Sequence, residues 1–405
     1  MLMRSANDIP STAGATTGYS ALNRAYPRSW WTIAWSSDVK PREVVPARLL
    51  ERDVVLWRDS SGTLHCMAAH CPHLGAHLGT GGTVVNDQLQ CPFHGWRYGT
   101  DGALAGVNGP DRVRKGICLP RYQIMERHGA VFLWNGADEP DIEFPDILGD
   151  LGLTEDQVVF CKHRWFFPYA AKHFAENNAD GSHFAITHDT GGWAESVIIE
   201  DSPTVLRVEN RVHDAPGWWT WQNLAKRTRK REITNFFSPV TGDLTNHCYG
   251  ATLFQIHLTG RNSIFGSTLL CMTPVDENSF CMMDMMLMPR IKLPVVGPVL
   301  QRALDFGVGA LNWGITRQDS PLMLRRQEPA NPPYAPSDRA TIAFRRLWDR
   351  RVDSDEPLDG PSVRHNGRRA GIRVTGKSEQ AESEQSNGTG PQAPLTAPAT
   401  VQVLR

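Results

Sequence analysis

Cys71-Pro72-His73-Leu74-Gly75 and Cys91-Pro92-Phe93-His94-Gly95-Trp96 bracket residues 74–90 with one thiol and one imidazole on each side. The pattern is C-x-H followed by C-x-x-H. Two Cys and two His also suit zinc, so residue type alone leaves two metals open. The spacing favours one of them. Each short stretch offers one sulfur and one nitrogen rather than a C-x-x-C knuckle. A mixed-ligand 2Fe–2S cluster needs this split, with two Cys on one iron and two His on the other. Pro72, Gly75, Pro92 and Gly95 favour tight loops whose N–H groups can face the cluster sulfurs. The neighbouring His65, His70 and His77 do not fit the pattern and read as surface or supporting histidines.

Around these loops, short β-type runs alternate with turn signals. Asp53-Val54-Val55-Leu56-Trp57 precedes Asp59-Ser60-Ser61-Gly62, and Gly129 to Trp134 precedes Asn135-Gly136. Helix-length periodicity is absent before residue 137, so residues 28–140 read as an all-β domain, preceded by a loosely ordered 1–27. Glu139 to Pro145 reads as a connector. Beyond it, residues 141–353 read as α+β. Residues 172–188 are long enough for a helix. Strands are expected at Ala251–Leu258, Ser263–Met272 and Ser279–Met288, the last two joined at Pro274–Asn278. Helices are expected over about 298–327 and, after Ser337 as N-cap, 338–351. Residues 354–405 are rich in Ser, Gly, Pro and Gln and read as a disordered tail.

The 405 residues carry a formal net charge of -1, with 40% apolar and 21% charged residues. A near-neutral chain argues against a nucleic-acid partner. The N-terminal residues lack the apolar core of a secretory signal, and no run has the length of a membrane span. A cytoplasmic protein is expected. Leu293–Trp313, interrupted by Pro294, Gly297, Pro298, Arg302 and Asp305, reads as an amphipathic helix with at most a peripheral membrane contact. Cys66, Cys118, Cys161, Cys248, Cys271 and Cys281 read as buried free thiols.

A second constellation is Asp180-x-x-His183-x4-His188. Two His and one carboxylate bind ferrous iron while leaving positions open. Asp180 and His183 would share a helix face. His183 and His188, five apart, would not, so an irregularity such as a π-bulge is expected at Phe184–Thr187. Met282, Met283, Met285, Met286 and Met288 could line one wall of an apolar pocket, and Trp218, Trp219 and Trp221 could cover it; core packing is the plainer reading of both groups.

The stretch from Cys71 to Tyr98 and the stretch from Glu176 to His188 resemble the cluster and catalytic motifs of Rieske non-haem iron oxygenases. Ala343-Phe344-Arg345-Arg346-Leu347-Trp348 is similar to the 3-ketosteroid 9α-hydroxylase and cholesterol 7-desaturase members. The resemblance covers about residues 28–350. It implies a Rieske domain followed by a helix-grip catalytic domain. It makes Cys71, His73, Cys91 and His94 ligands of a 2Fe–2S cluster, and His183 and His188 ligands of a mononuclear Fe(II). The third ligand is expected on a C-terminal helix, at Asp319, with Asp305, Glu328 and Asp284 as weaker candidates. Asp180 would relay electrons across a subunit boundary in a homotrimer, with Asn177 near the site. The implied chemistry is O2-dependent hydroxylation, desaturation or oxidative cyclisation of a bulky hydrophobic small molecule, with prodiginine-type cyclases among the relatives. The chain carries no G-x-G-x-x-G after a strand and no plant-type ferredoxin cysteine run. Electrons would therefore come from NAD(P)H through a ferredoxin or flavin reductase. An electron carrier without catalytic iron and an iron–sulfur sensor are the readings from other classes; no DNA-binding motif supports the sensor.

Overall fold

Left-handed turn pairs organise the first half of the chain. The computed structural model describes residues 19–110, 112–188, 193–213, 243–259 and 267–352. β1 (Trp30–Trp35) pairs with β10 (Ala130–Trp134), and β10 with β9 (Ile124–Arg127). β2 (Val44–Leu49), β3 (Arg52–Arg58) and β4 (Leu64–Ala68) form a second sheet. β5 (Thr83–Val85), β6 (Gln88–Gln90), β7 (Arg97–Tyr98) and β8 (Leu104–Gly106) form a third. The turns at Leu50-Glu51, Asn86-Asp87 and His128-Gly129 each have two positive φ angles. Such turns match the twist of antiparallel strands. Leu50 bears a steric cost there that glycine would avoid. Its compensation lies elsewhere in the chain: the fully buried Leu50 donates its N–H to Pro274 O at 2.7 Å, and Glu51 donates to Val275 O at 3.1 Å.

The order found next to the N-terminus exceeds the expectation. Leu22 and Tyr26 are buried, and the Asn135 side chain accepts the N–H groups of Leu22 and Asn23. The short polar run before Ser29 hides these two anchors among residues that favour loops.

Among the described residues, the second half is built on a seven-stranded antiparallel sheet in the order β11-β17-β16-β15-β14-β13-β12. Its strands are β11 (Val158–Phe167), β12 (Trp193–Asp201), β13 (Val205–His213), β14 (Asp243–Tyr249), β15 (Leu253–Thr259), β16 (Ser267–Asp276) and β17 (Ser279–Pro289). β12 to β17 form a meander, and β11 returns to pair with β17. Four of the five methionines of β17 are buried to 1% exposure or less, on both faces, as a central strand covered on both sides requires. They are core. Trp218, Trp219 and Trp221 lie outside the described residues, as do residues 354–405.

Among the described residues, helices α1 (Ile147–Asp150), α2 (Ala171–Ala179), α3 (Phe184–Thr187), α4 (Gly297–Met323) and α5 (Arg339–Arg351) accompany the sheets. Two expectations are corrected. Residues 172–188 do not form one helix with a bulge at Phe184–Thr187. The helix stops at Ala179, Asp180 is extended, and Phe184–Thr187 is a regular single turn. Asp180 Oδ1 accepts from Ser182 N–H and Oγ at 2.8 and 2.6 Å, a local bond that competes with the helix. Gly181 is required at the break, because a Cβ there would overlap the Asn210 side chain. Ser337 is not a cap either; it lies inside a 3-10 turn, Pro336–Asp338, that leads into α5.

The Leu293–Trp313 segment becomes helical only from Gly297, with Val295 and Phe306 strongly exposed. Among the described residues, no helix is long and apolar enough to cross a membrane.

Candidate metal centres

The two Cys/His loops have the same backbone construction. Cys71 N–H bonds Ala76 O at 2.9 Å and Gly75 N–H bonds Cys71 O at 2.9 Å. In the second loop Cys91 N–H bonds Trp96 O at 2.7 Å and Gly95 N–H bonds Cys91 O at 3.1 Å. Gly75 and Gly95 have φ of +74° and +70°, a conformation open mainly to glycine. Both cysteines are buried, whereas His73 is half-buried and His94 exposed. The imidazole rings lie 4.7 Å apart, with Trp96 stacked on His73 at 4.3 Å. The thiols thus sit at the inner end and the imidazoles at the surface, the polarity that a mixed-ligand cluster needs. The groups whose donor atoms converge within 4.8 Å, among the described residues, do not include this four. A single tetrahedral ion would require such convergence.

Tyr98 was not singled out by the sequence. Its hydroxyl lies 3.0 Å from Cys71 Sγ. Burial pushes the Cys71 thiol up, against the thiolate form, and the Tyr98 hydrogen bond works the other way. A cavity of about 870 Å³ beside the loops is lined by His73, Phe93, His94, Trp96 and Arg112 among others.

At the second centre, His183 and His188 flank the α3 turn, so five residues of separation bring both rings to one side. His183 Nε2 lies 3.9 Å and His188 Nε2 3.6 Å from Asp319 Oδ1, and the three donor atoms fall within 4.8 Å of one another. Asp319 Oδ1 is buried and has no hydrogen-bond partner. Burial raises the Asp319 carboxyl to about 6, opposed by His188 and by a hydrogen bond from Asn177. Burial and His188 lower His183 to about 4. An orphaned carboxylate oxygen facing two imidazoles is a donor set that suits a divalent cation.

The other carboxylates considered are engaged elsewhere. Asp284 accepts from His163 and Asn312, Asp305 faces His163 Nε2 at 3.4 Å, and Glu328 pairs with Arg345 at 3.0 Å. Asp305 precedes Asp319 by fourteen helical residues, about 21 Å along α4. Asn177 Nδ2 lies 3.2 Å from His183 Nε2, and Asp180 Oδ2 lies 3.8 Å from His183 Nδ1.

Two further groups escaped the sequence. Gln318 Oε1 lies 2.9 Å from His188 Nδ1. Glu176, buried beside Asn177, is held by Arg326 and Arg345. Neither has a spacing signal, because their partners are distant in sequence.

The Rieske [2Fe-2S] domain family matches residues 29–122, the segment that holds both loops. Residues 29–122 are thus a Rieske [2Fe-2S] domain. Cholesterol 7-desaturase nvd of Drosophila melanogaster is 34% identical over 176 residues, 42% of this chain and 41% of the relative. The chain thus spans about two fifths of such desaturases. Aminopyrrolnitrin oxygenase PrnD of Pseudomonas fluorescens is 26% identical over 367 residues, covering 83% of this chain and 95% of the relative. Among solved structures, Pseudomonas putida CBB5 NdmA, a QL mutant with theobromine, superposes with a TM-score of 0.59 at 17% identity, covering 79% of this chain and 88% of that chain. Dicamba monooxygenase bound to dicamba gives 0.57 at 17% identity, covering 79% and 95%. The structural likenesses carry the shared fold into the second half, beyond the matched domain.

Proposed function

We propose that this chain is a Rieske oxygenase, the oxygenase component of a system that uses O2 to oxidise C–H bonds of a bulky apolar molecule. The observation that carries the reading is the convergence of His183, His188 and the unpartnered Asp319 oxygen in a chain that also holds a Rieske domain. Residues 28–140 would be the cluster domain and 141–353 the catalytic domain. Cys71, His73, Cys91 and His94 would hold the cluster, and His183, His188 and Asp319 the iron. When bound, the iron supplies a site with open positions for reductive oxygen activation.

The chain's own residues do the positioning. The Ser182 bonds leave Asp180 Oδ2 free of Ser182 and pointed toward His183, which suits a relay from a neighbouring subunit's cluster in a homotrimer. Trp165, Phe167 and Trp313 stack between β11 and α4, with Tyr169 bonded to Ser320 next to Asp319. An apolar substrate is in keeping with the sterol and pyrrole names of the relatives. Hydroxylation, desaturation and oxidative cyclisation are all compatible with it. The exposed His94 imidazole and the adjoining cavity suit a docked ferredoxin or flavin reductase fed by NAD(P)H, in the cytoplasm.

The test is iron and sulfide analysis of anaerobically purified protein, with electron paramagnetic resonance of the reduced form. A full cluster plus one further iron, the latter lost selectively in Asp319→Ala, is expected. A full cluster whose further iron is absent and not restored by added Fe(II) would make the chain an electron carrier instead.

A further inference from the structure

We propose that Gln318 is a positioning residue for the mononuclear site, fixing His188 in the tautomer that turns its Nε2 lone pair to the metal. The inference rests on the iron reading above and adds a residue to it. A neutral imidazole carries one N–H, and its partner decides which nitrogen bears it. The Gln318 carbonyl oxygen sits 2.9 Å from Nδ1. An amide oxygen only accepts, so Nδ1 carries the proton and Nε2 is free to ligate. Were Nδ1 the acceptor, the proton would sit on Nε2, facing Asp319 Oδ1 at 3.6 Å, and His188 could not bind metal.

The helix explains why one segment serves both roles. Consecutive helical residues project about 100° apart. Asp319 therefore faces the metal position directly, while Gln318 reaches the far side of the His188 ring. The two histidines are supported unequally. His183 Nδ1 has no hydrogen-bond partner, and the Asp180 carboxylate stands 3.8 Å away. His188 receives a neutral amide, which orients the ring without adding negative charge.

The test uses the cluster-loaded full chain carrying Gln318→Leu, Gln318→Asn or Gln318→Glu. Fe(II) affinity is measured anaerobically by chelator competition. Exchangeable imidazole N–H resonances are followed in the Co(II)-loaded protein. Leu removes the acceptor and Asn withdraws it; each should weaken Fe(II) binding by about 10- to 100-fold and lose one slowly exchanging N–H. Glu keeps an acceptor at the same reach and should retain both. If Leu folds poorly, the Asn and Glu pair carries the comparison. Unchanged affinity and N–H signals in Leu and Asn would overturn the assignment, as would a Glu variant as weak as Asn. A wild-type chain that binds no Fe(II) would overturn the iron reading itself.

Discussion

Single side chains set the properties of both centres. Tyr98 donates toward Cys71 Sγ from within the buried side of the cluster loops. A donor to a ligand sulfur favours the reduced, more negative state. Tyr98→Phe should therefore lower the cluster's reduction potential. One hydrogen bond of about 1 kcal/mol corresponds to about 40 mV at about 59 mV per tenfold change for one electron. Protein-film voltammetry reads the shift, and an unchanged or raised potential would rule the contact out as a tuning element. At this scale the sequence was informative where chemistry compels close spacing, as in Cys71/His73 and Cys91/His94. Asp319 lies too far from His188 for spacing to reveal it, and only the family resemblance pointed there. Gln318 acts on His188 rather than on the metal, so no ligand count calls for it.

Elements bring those side chains together, and their ends matter more than their middles. The break after α2 was not legible, because Asp180 and His183 have a spacing that a helix would accept. The competing Asp180–Ser182 bonds and the Gly181 contact with Asn210 are tertiary or local events without a periodic signature. Glu176 holds the adjoining end of α2 to Arg326 beyond α4 and to Arg345 of α5. Burial raises its carboxyl, but the two arginines outweigh burial and hold it below the usual carboxylate range. A lowered folded value stabilises the fold above the unfolded value of about 4.3 and loses that contribution as pH falls through the folded value. Glu176→Gln should cost about 3 kcal/mol, the low end of the range for breaking a buried ion pair, since both arginines retain a path to water. It should also flatten the acid limb of the stability profile. Denaturant titrations of both proteins across acid pH measure the two effects; equal stability would remove Glu176 as a clamp.

The whole molecule has a shared core that neither half reveals alone. Strand alternation disclosed the two architectures, yet the joint between them depends on residues far apart in sequence. Ser29 Oγ lies 2.6 Å from Thr252 Oγ1, Thr273 Oγ1 donates to Thr32 O at 2.8 Å, and Arg351 Nε donates to Arg28 O at 2.8 Å. Trp31, Leu56, Phe254, Phe344 and Trp348 belong to one apolar cluster. The halves should therefore unfold together. Loss of cluster absorbance and of far-ultraviolet circular dichroism on heating should share one midpoint; two separated transitions would show that the halves are independent.

The thioethers of the large sheet would set a working lifetime under the proposed oxygen chemistry. Met272 Sδ lies 3.7 Å from the Asn178 amide, one residue from Asn177. An oxidant that escaped turnover at the proposed iron would meet this sulfur early. A sulfoxide there would place an unpartnered oxygen in a sealed interior. The protein would then wear out from the centre, with peptide mass spectrometry after substrate-free cycling finding Met272 altered ahead of the buried methionines of β17.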